Sequence, residues 1–149
     1  MESKTIQKYK NKSVSDLLGL ATKYFNLYIR LRDTDEYRKG NCISSGRPLK
    51  IPSTNSHAGH LYSAGDYPLL RFNEDNVHLQ SLSDNYFKSG NQLAYVKNLI
   101  KKIGSERVIQ LQKLADQSKR INYKWDRFEL IDIIEKYKVK SRELKKEKI

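Results

Sequence analysis

Apolar residues recur at helical spacing before residue 33 and again after residue 91, but not in between. In the first segment Leu17, Leu18, Ala21, Tyr24, Phe25 and Tyr28 follow the i, i+3, i+4 pattern of one buried helix face. Ser13 and Asp16 stand at capping-box spacing, with Asp in place of the usual Glu. Arg30 and Arg32 fall in the last turns, where cations complement the helix dipole. Asp33 to Lys39 and then Gly40 end the helix. Beyond residue 91 the pattern predicts three more. Asn91 caps a helix to Ile103, with Leu93, Val96, Leu99, Ile100 and Ile103 inward and Gly104 as its stop. Ser105 caps the next, with Val108, Leu111, Leu114 and Ala115 inward. After a polar linker at Lys119–Tyr123, Asp126 and Glu129 open a last helix that buries Phe128, Ile131, Ile134 and Tyr137. Lys138–Lys148 is mostly charged and is expected to fray. Residues 1–12 are lysine-rich without periodicity and read as a flexible arm.

The middle stretch has the punctuation of strands and turns. Asn41–Arg47 predicts a tight turn between short strands, and Pro48–Ser56 is rich in loop residues. His57–Tyr62 enters a strand, Ser63–Pro68 turns, and Leu69–Phe72 is apolar but brief. Asn76–Leu79 alternates as a half-buried strand does. A short helix is expected from Ser83–Asn85, closed by Lys88-Ser89-Gly90. The chain thus reads as one α+β domain over 1–149. It has a helix at 13–33, a small core at 41–91 and a helical part at 92–149.

Charge narrows the function classes. The net charge is +12, yet residues 51–96 carry two Lys/Arg against four Asp/Glu, between flanks of +6 and +8. A slightly acidic centre between basic flanks suits a metal site presented to a polyanion. The plainer alternative is a basic protein with solvated lysine faces. Charged residues make up 31% and apolar ones 38%, which predicts a modest core. No run of eighteen apolar residues exists to span a membrane, and the N-terminal residues lack the apolar stretch of a secretion signal. A single cysteine excludes an internal disulfide and suits a reducing cytosol.

All three histidines, His57, His60 and His78, lie in the middle stretch with Asn76 and Asn85. Such a grouping can bind a divalent metal and activate water, although a single histidine is more often structural. Ser45 and Ser81 lack the setting of a hydrolase nucleophile. Asp66, Glu74 and Asp75 could be metal ligands, although acidic loop residues are usually just solvated, and Trp125 reads as a packing anchor.

Three motifs carry a resemblance. They are Ala58-Gly59-His60, then Arg71-Phe72 through Asn76-Val77-His78 and Gln80, then Asn85 through Gly90-Asn91. With Tyr28–Asp33, Tyr123–Trp125 and Phe128–Ile131, they make the chain from about Leu17 to about Leu144 resemble the NinG (Rap) recombination proteins of lambda-like phages. The resemblance implies an HNH-type ββα-metal core, flanked by the N-terminal helix and about three C-terminal helices. It implies a metal-dependent endonuclease that nicks branched recombination intermediates in the host cytoplasm, phage- or prophage-encoded, as a single chain or a homodimer. By the same resemblance His60 is the general base, His57 and Asn85 lie on the metal side, and Asn76 braces the loop carrying the base. His78 joins the metal or contacts DNA.

Arg30, Arg32, Lys101, Lys102, Lys119 and Arg120 are expected to grip phosphates, with Arg71 and Lys88 nearer the core. The family's two C-x-x-C knuckles, which look like a structural zinc site, stand here as Cys42–Ser45 and Ser81–Asp84. Only Cys42 remains a thiol, so zinc is expected to be absent. Phe87 replaces a family histidine, which leaves Mg²⁺ or Mn²⁺, ions that keep several waters. The alternative implied by these losses is a catalytically inactive DNA-binding relative; a protein adaptor ranks third.

Overall fold

The computed structural model describes residues 1–87 and 91–149; Lys88 and the side chain of Phe87, both named above, lie outside the described residues. Helix α1 (Ser3–Lys8) leads into α2 (Val14–Arg32), then come strands β1 (Lys39–Asn41), β2 (Pro48–Lys50), β3 (Ser56–His60) and β4 (Val77–Ser81). Helices α3 (Gln92–Ile103), α4 (Ser105–Arg120) and α5 (Arg127–Lys146) complete the chain. The α+β class is as expected. No solved structure matches the chain.

Local chemistry explains most boundaries. Reciprocal capping boxes open α2 at Ser13/Asp16 and α5 at Asp126/Glu129, each satisfying two backbone donors that have no helical partner. Gly104, at φ 91°, turns the chain between α3 and α4 where an L side chain would be strained. Ser105 is the first residue of α4 and not its cap. Asn91 adopts φ 48° without a capping bond, and its amide donates instead to Asp84 Oδ2 at 3.0 Å.

Two two-stranded antiparallel sheets sit between the helices. The β1–β2 ribbon brackets the turn that holds Cys42, as predicted. The β3–β4 pair runs Ser56↔Ser81 to His60↔Val77. After it, the expected core helix is a single π-helical turn, Ser83–Phe87.

Helix α2 is the spine. Phe25, Ile29 and Tyr28 meet Leu130, Ile134 and Tyr137 of α5 on one side and Ala58, Phe72 and Val77 of the hairpin region on the other. Phe25 packs edge-on against Phe72 at 5.5 Å and Tyr137 at 4.8 Å, geometries favoured by aromatic quadrupoles. A second cluster joins Tyr95 and Leu99 of α3 to Leu111 and Ala115 of α4 and to Leu61 and Leu70.

Several expectations need correction. Residues 1–12 are not a free arm: Tyr9 is buried, and its hydroxyl donates to Glu135 at 2.8 Å. The end of α5 does not fray: the helix runs to Lys146, and beyond it Lys148 donates to the Thr34 carbonyl at 2.8 Å and the Ile149 N–H to the Glu36 carbonyl at 2.7 Å. Leu93, Ile100 and Phe128 are exposed. The buried stripe of α3 runs instead through Tyr95 and Leu99, positions i and i+4 of one face, with Val96 and Ile103 partly buried beside them.

Candidate functional site

The pleat of β3 sorts the histidines. Successive side chains alternate, so residues three apart point to opposite faces of the hairpin. His57 shares a face with Gly59, His78 and Gln80; His60 shares the other with Ala58, Val77 and Leu79. A shared metal between His57 and His60 is therefore excluded by strand geometry alone.

His60 stands at the end of β3, where the chain leaves the sheet for the loop 61–76. Its Nε2 lies 3.0 Å from the backbone oxygen of Arg71. A carbonyl can only accept, so Nε2 carries the proton and Nδ1 keeps its lone pair. Burial holds the His60 pKa below the usual histidine value; the bond to the Arg71 carbonyl pulls the other way, and the Arg71 guanidinium adds a smaller push downward. His60 is thus a neutral imidazole at neutral pH. It lines a polar cavity of about 530 Å³ together with Ser63, Asp66, Tyr67, Asn85 and Gln92. The π-helical turn delivers Asn85 there; such turns widen the helix and often mark functional positions. Above the cavity wall, Lys119 Nζ sits 4.7 Å over the Tyr67 ring.

Asn76 holds the loop from the side. It is fully buried, accepts from the Tyr62 N–H at 2.9 Å, and donates to the carbonyls of Tyr62 at 2.9 Å and Leu70 at 3.0 Å. These bonds close the loop 61–76 on itself, and Asn76 does not line the cavity. Tyr95 adds a second clamp, its hydroxyl donating to the Gly59 carbonyl at 2.7 Å.

His78 is built differently. Its Nε2 meets the Asp75 carbonyl at 2.9 Å, while Nδ1 faces Lys102 Nζ at 2.8 Å and Arg32 Nη2 at 3.1 Å. Both nitrogens are occupied, one of them by two cations, so His78 has nothing left for a metal. Burial first, then the charges of Lys102 and Arg32, push its pKa down to about 4. The same cluster surrounds Asp33, whose carboxylate takes Arg32 Nε at 2.8 Å, Lys102 at 2.9 Å and the Leu79 N–H at 2.9 Å. Burial alone would raise the Asp33 carboxyl; the Arg32 fork, Lys102 and His78 outweigh it and hold it at about 2.

His57 is also apart from the cavity, with Nε2 at 3.0 Å from the Thr54 oxygen and its ring edge-on to Tyr86. The expected ligand set of His57, His78 and Asn85 is accordingly not assembled. Asp66, read from the sequence chiefly as a solvated loop acid, does line the cavity, and the Ser63 hydroxyl donates to it at 3.0 Å. Its signal was available: Ser63 and Asp66 bracket the turn that follows the A-G-H motif.

Among the expected phosphate contacts, Arg32 spends its donors on Asp33, Val77 and Glu74, and Lys102 on Asp33 and His78. Arg32 is half-buried and Lys102 exposed, and the guanidinium and ammonium groups are both already paired with Asp33. Lys101, Lys119 and Arg120 are exposed, and Arg30 and Arg71 are half-buried.

The four knuckle positions do converge. Cys42 Sγ lies 3.7 Å from Ser81 Oγ and 3.9 Å from Asp84 Oδ2, and accepts the N–H groups of Ser81 at 3.3 Å and Ser45 at 3.5 Å. Ser44 donates to Asp84 at 2.5 Å and receives the Gln80 amide at 3.0 Å. Gly59 makes room for this: a Cβ there would fall 2.0 Å from Gln80 Oε1. Burial would raise the Cys42 thiol, but donors from Ser44, Ser45 and Ser81 bring it down to about 7. Among the described residues no group of three or more His, Cys, Asp or Glu is arranged to hold a metal ion.

These features define a class: a small α+β protein whose hairpin presents a neutral, oriented histidine to a polar cavity between basic flanks. The chain belongs to the NinG family; the family model "Bacteriophage Lambda NinG protein" matches residues 1–147. It is 34% identical over 140 residues to the protein ninG of Escherichia phage lambda, covering 94% of this chain and 63% of that one. It is 37% identical over 107 residues to the ninG protein of Enterobacteria phage H19B, covering 72% and 50%. The ninG protein of Salmonella phage P22 is 32% identical over 140 residues, covering 94% and 63%. The chain thus spans less than two thirds of these relatives' own length. Among the described residues no helix is long and apolar enough to cross a membrane.

Proposed function

We propose that the chain is a metal-dependent DNA endonuclease that nicks branched or recombining phage DNA. The observation that carries this reading is the tautomer of His60: the Arg71 carbonyl fixes the proton on Nε2, which leaves Nδ1 with its lone pair on a residue that lines a polar cavity. In the proposed step Nδ1 takes one proton from a water molecule. The water oxygen forms the new bond to phosphorus, and the in-line P–O bond to the leaving sugar oxygen breaks. A general base set in this way contributes about 10²–10⁴-fold.

Asp66 and Asn85 are the residues that would hold the metal, which when bound neutralises charge on the phosphate and leaving oxygen. One carboxylate and one amide suit Mg²⁺ or Mn²⁺, which bind through one or two carboxylates and retain waters; they do not suit a closed zinc site. Asn76 and Tyr95 keep the loop and strand end in register, and Lys119 and Arg120 supply positive charge near the rim.

Nicking of supercoiled plasmid and of a four-way junction with Mg²⁺ or Mn²⁺ tests the reading. The expected result is cutting that EDTA abolishes and that His60→Ala reduces at least about 100-fold. The second reading, a DNA-binding relative without chemistry, is favoured by the sparse donor set in the cavity. It predicts junction binding by both proteins and cutting by neither.

A further inference from the structure

A second cavity, sharing no residue with the first, lies between α1, α2 and α5. It measures about 410 Å³ and is bounded by Lys8, Tyr24, Lys138, Ser141, Arg142 and Lys145. Leu27 completes the lining, and four of these seven side chains are cationic. Glu135 offsets part of the charge, pairing with Lys8 at 3.5 Å and Lys138 at 3.8 Å. Arg142 and Lys145 have no carboxylate partner among the described residues.

Ser141 supplies the decisive observation. It is 3% exposed, lines the cavity, and its hydroxyl has no hydrogen-bond partner among the described residues. A buried hydroxyl left unmatched is costly, and a helical serine ordinarily satisfies itself on the carbonyl one turn back. Here it does not. A donor without an acceptor, ringed by cations, calls for an anion that accepts several hydrogen bonds at once.

We propose that this cavity binds a phosphate group. The phosphate oxygens accept from the Ser141 hydroxyl, from the Arg142 guanidinium and from the ammonium groups of Lys145 and Lys138. Charge-assisted bonds of this kind are the stronger sort, and arginine matches phosphate geometry bidentately. Tyr24 forms an aromatic wall, with the Lys138 ammonium 5.2 Å over its ring; one Lys138 proton goes to the Tyr9 hydroxyl at 3.0 Å. A backbone phosphate of nucleic acid and a free phosphate compound present the same chemistry. The former fits a protein whose C-terminal part carries most of its positive charge. The site is independent of catalysis at His60, and its test does not read cutting.

The test is a titration of the full chain with inorganic phosphate, against chloride at matched ionic strength, followed by ¹H–¹⁵N spectra. The expected result is saturable shifts at the amides of α5 around Ser141. Ser141→Ala, which changes no charge and removes only the orphan hydroxyl, should weaken binding about tenfold. Arg142→Gln with Lys145→Gln, both exposed, should weaken it at least as much. A short unphosphorylated duplex then identifies the source. If it moves the same amides the ligand is backbone phosphate; if only free phosphate does, it is a small phosphate compound. Shifts spread over all basic surfaces, or affinity unchanged in Ser141→Ala, would overturn the proposal.

Discussion

His60 and His78 sit on paired strands one register step apart, and the protein uses them in opposite ways. His60 spends one nitrogen on a carbonyl and leaves the other on a cavity. His78 spends both, one of them between Lys102 and Arg32, and serves as a neutral acceptor that lets two cations share Asp33. The difference teaches that the lone pair left over, and not the presence of a histidine, marks a candidate site. Each prediction below breaks or sharpens that contrast.

The largest effect expected is on stability, at His78. Its folded pKa of about 4 lies below the ordinary value near 6.5, so at intermediate pH the unfolded chain binds a proton that the folded one refuses. Stability is therefore full above about pH 6.5 and falls as the pH drops toward 4, by about 3 kcal/mol from this group. Asp33, held at about 2, adds a further loss only below the usual carboxylate range. Denaturant unfolding from pH 7 to 4 measures this. His78→Gln should flatten the slope, whereas His60→Ala should leave most of it.

Asn76→Ala comes next. It strands the Tyr62 N–H and removes both bonds that close the loop, at a cost of about 2–3 kcal/mol. The same change should lower cutting further than stability accounts for, since the loop carries the carbonyl that orients His60. Cutting lost only in proportion to unfolded protein would show that Asn76 is structural alone.

Smaller effects separate the lysines of α3. Each phosphate contact on duplex DNA adds about −0.9 to the slope of log K against log salt. Lys101→Gln should shallow that slope by about one unit, as should neutralising Lys119 or Arg120. Lys102→Gln should leave the slope alone and lower the unfolding midpoint, because Lys102 serves Asp33 and His78. The smallest effect is a null one. With hydrogen bonds joining Cys42, Ser44, Ser81 and Asp84, chelator should leave the melting temperature unchanged and elemental analysis should find no stoichiometric zinc. One tightly held zinc per chain would refute this.

Much of this architecture was legible in advance because its signals are local. Both capping boxes, the α2 stripe, the Cys42 turn and the β3–β4 alternation each depend on residues within a few positions. The motif residues also include His60 and Asn85, which line one cavity. What was not legible depends on contacts far apart in sequence. Lys102 reads as an unpaired surface cation until its ammonium is seen beside Asp33 and His78. Tyr9 reads as part of a tail until Glu135 of α5 is seen to receive its hydroxyl. The exclusion of His57 and His78 from the cavity was half readable, since a separation of three in a strand already assigns His57 and His60 to opposite faces.

The claim that the His60 face alone carries the chemistry is tested most directly by comparing histidine variants in one assay. Single-turnover cutting of a four-way junction is measured with Mg²⁺ at pH 8, using His57→Ala, His60→Ala and His78→Gln, each at a concentration corrected for folded fraction. The account predicts a loss of about 10²–10⁴-fold for His60→Ala and rates within a few-fold of the unmodified protein for the other two. Equal losses at His57 or His78, or full activity in His60→Ala, would contradict it.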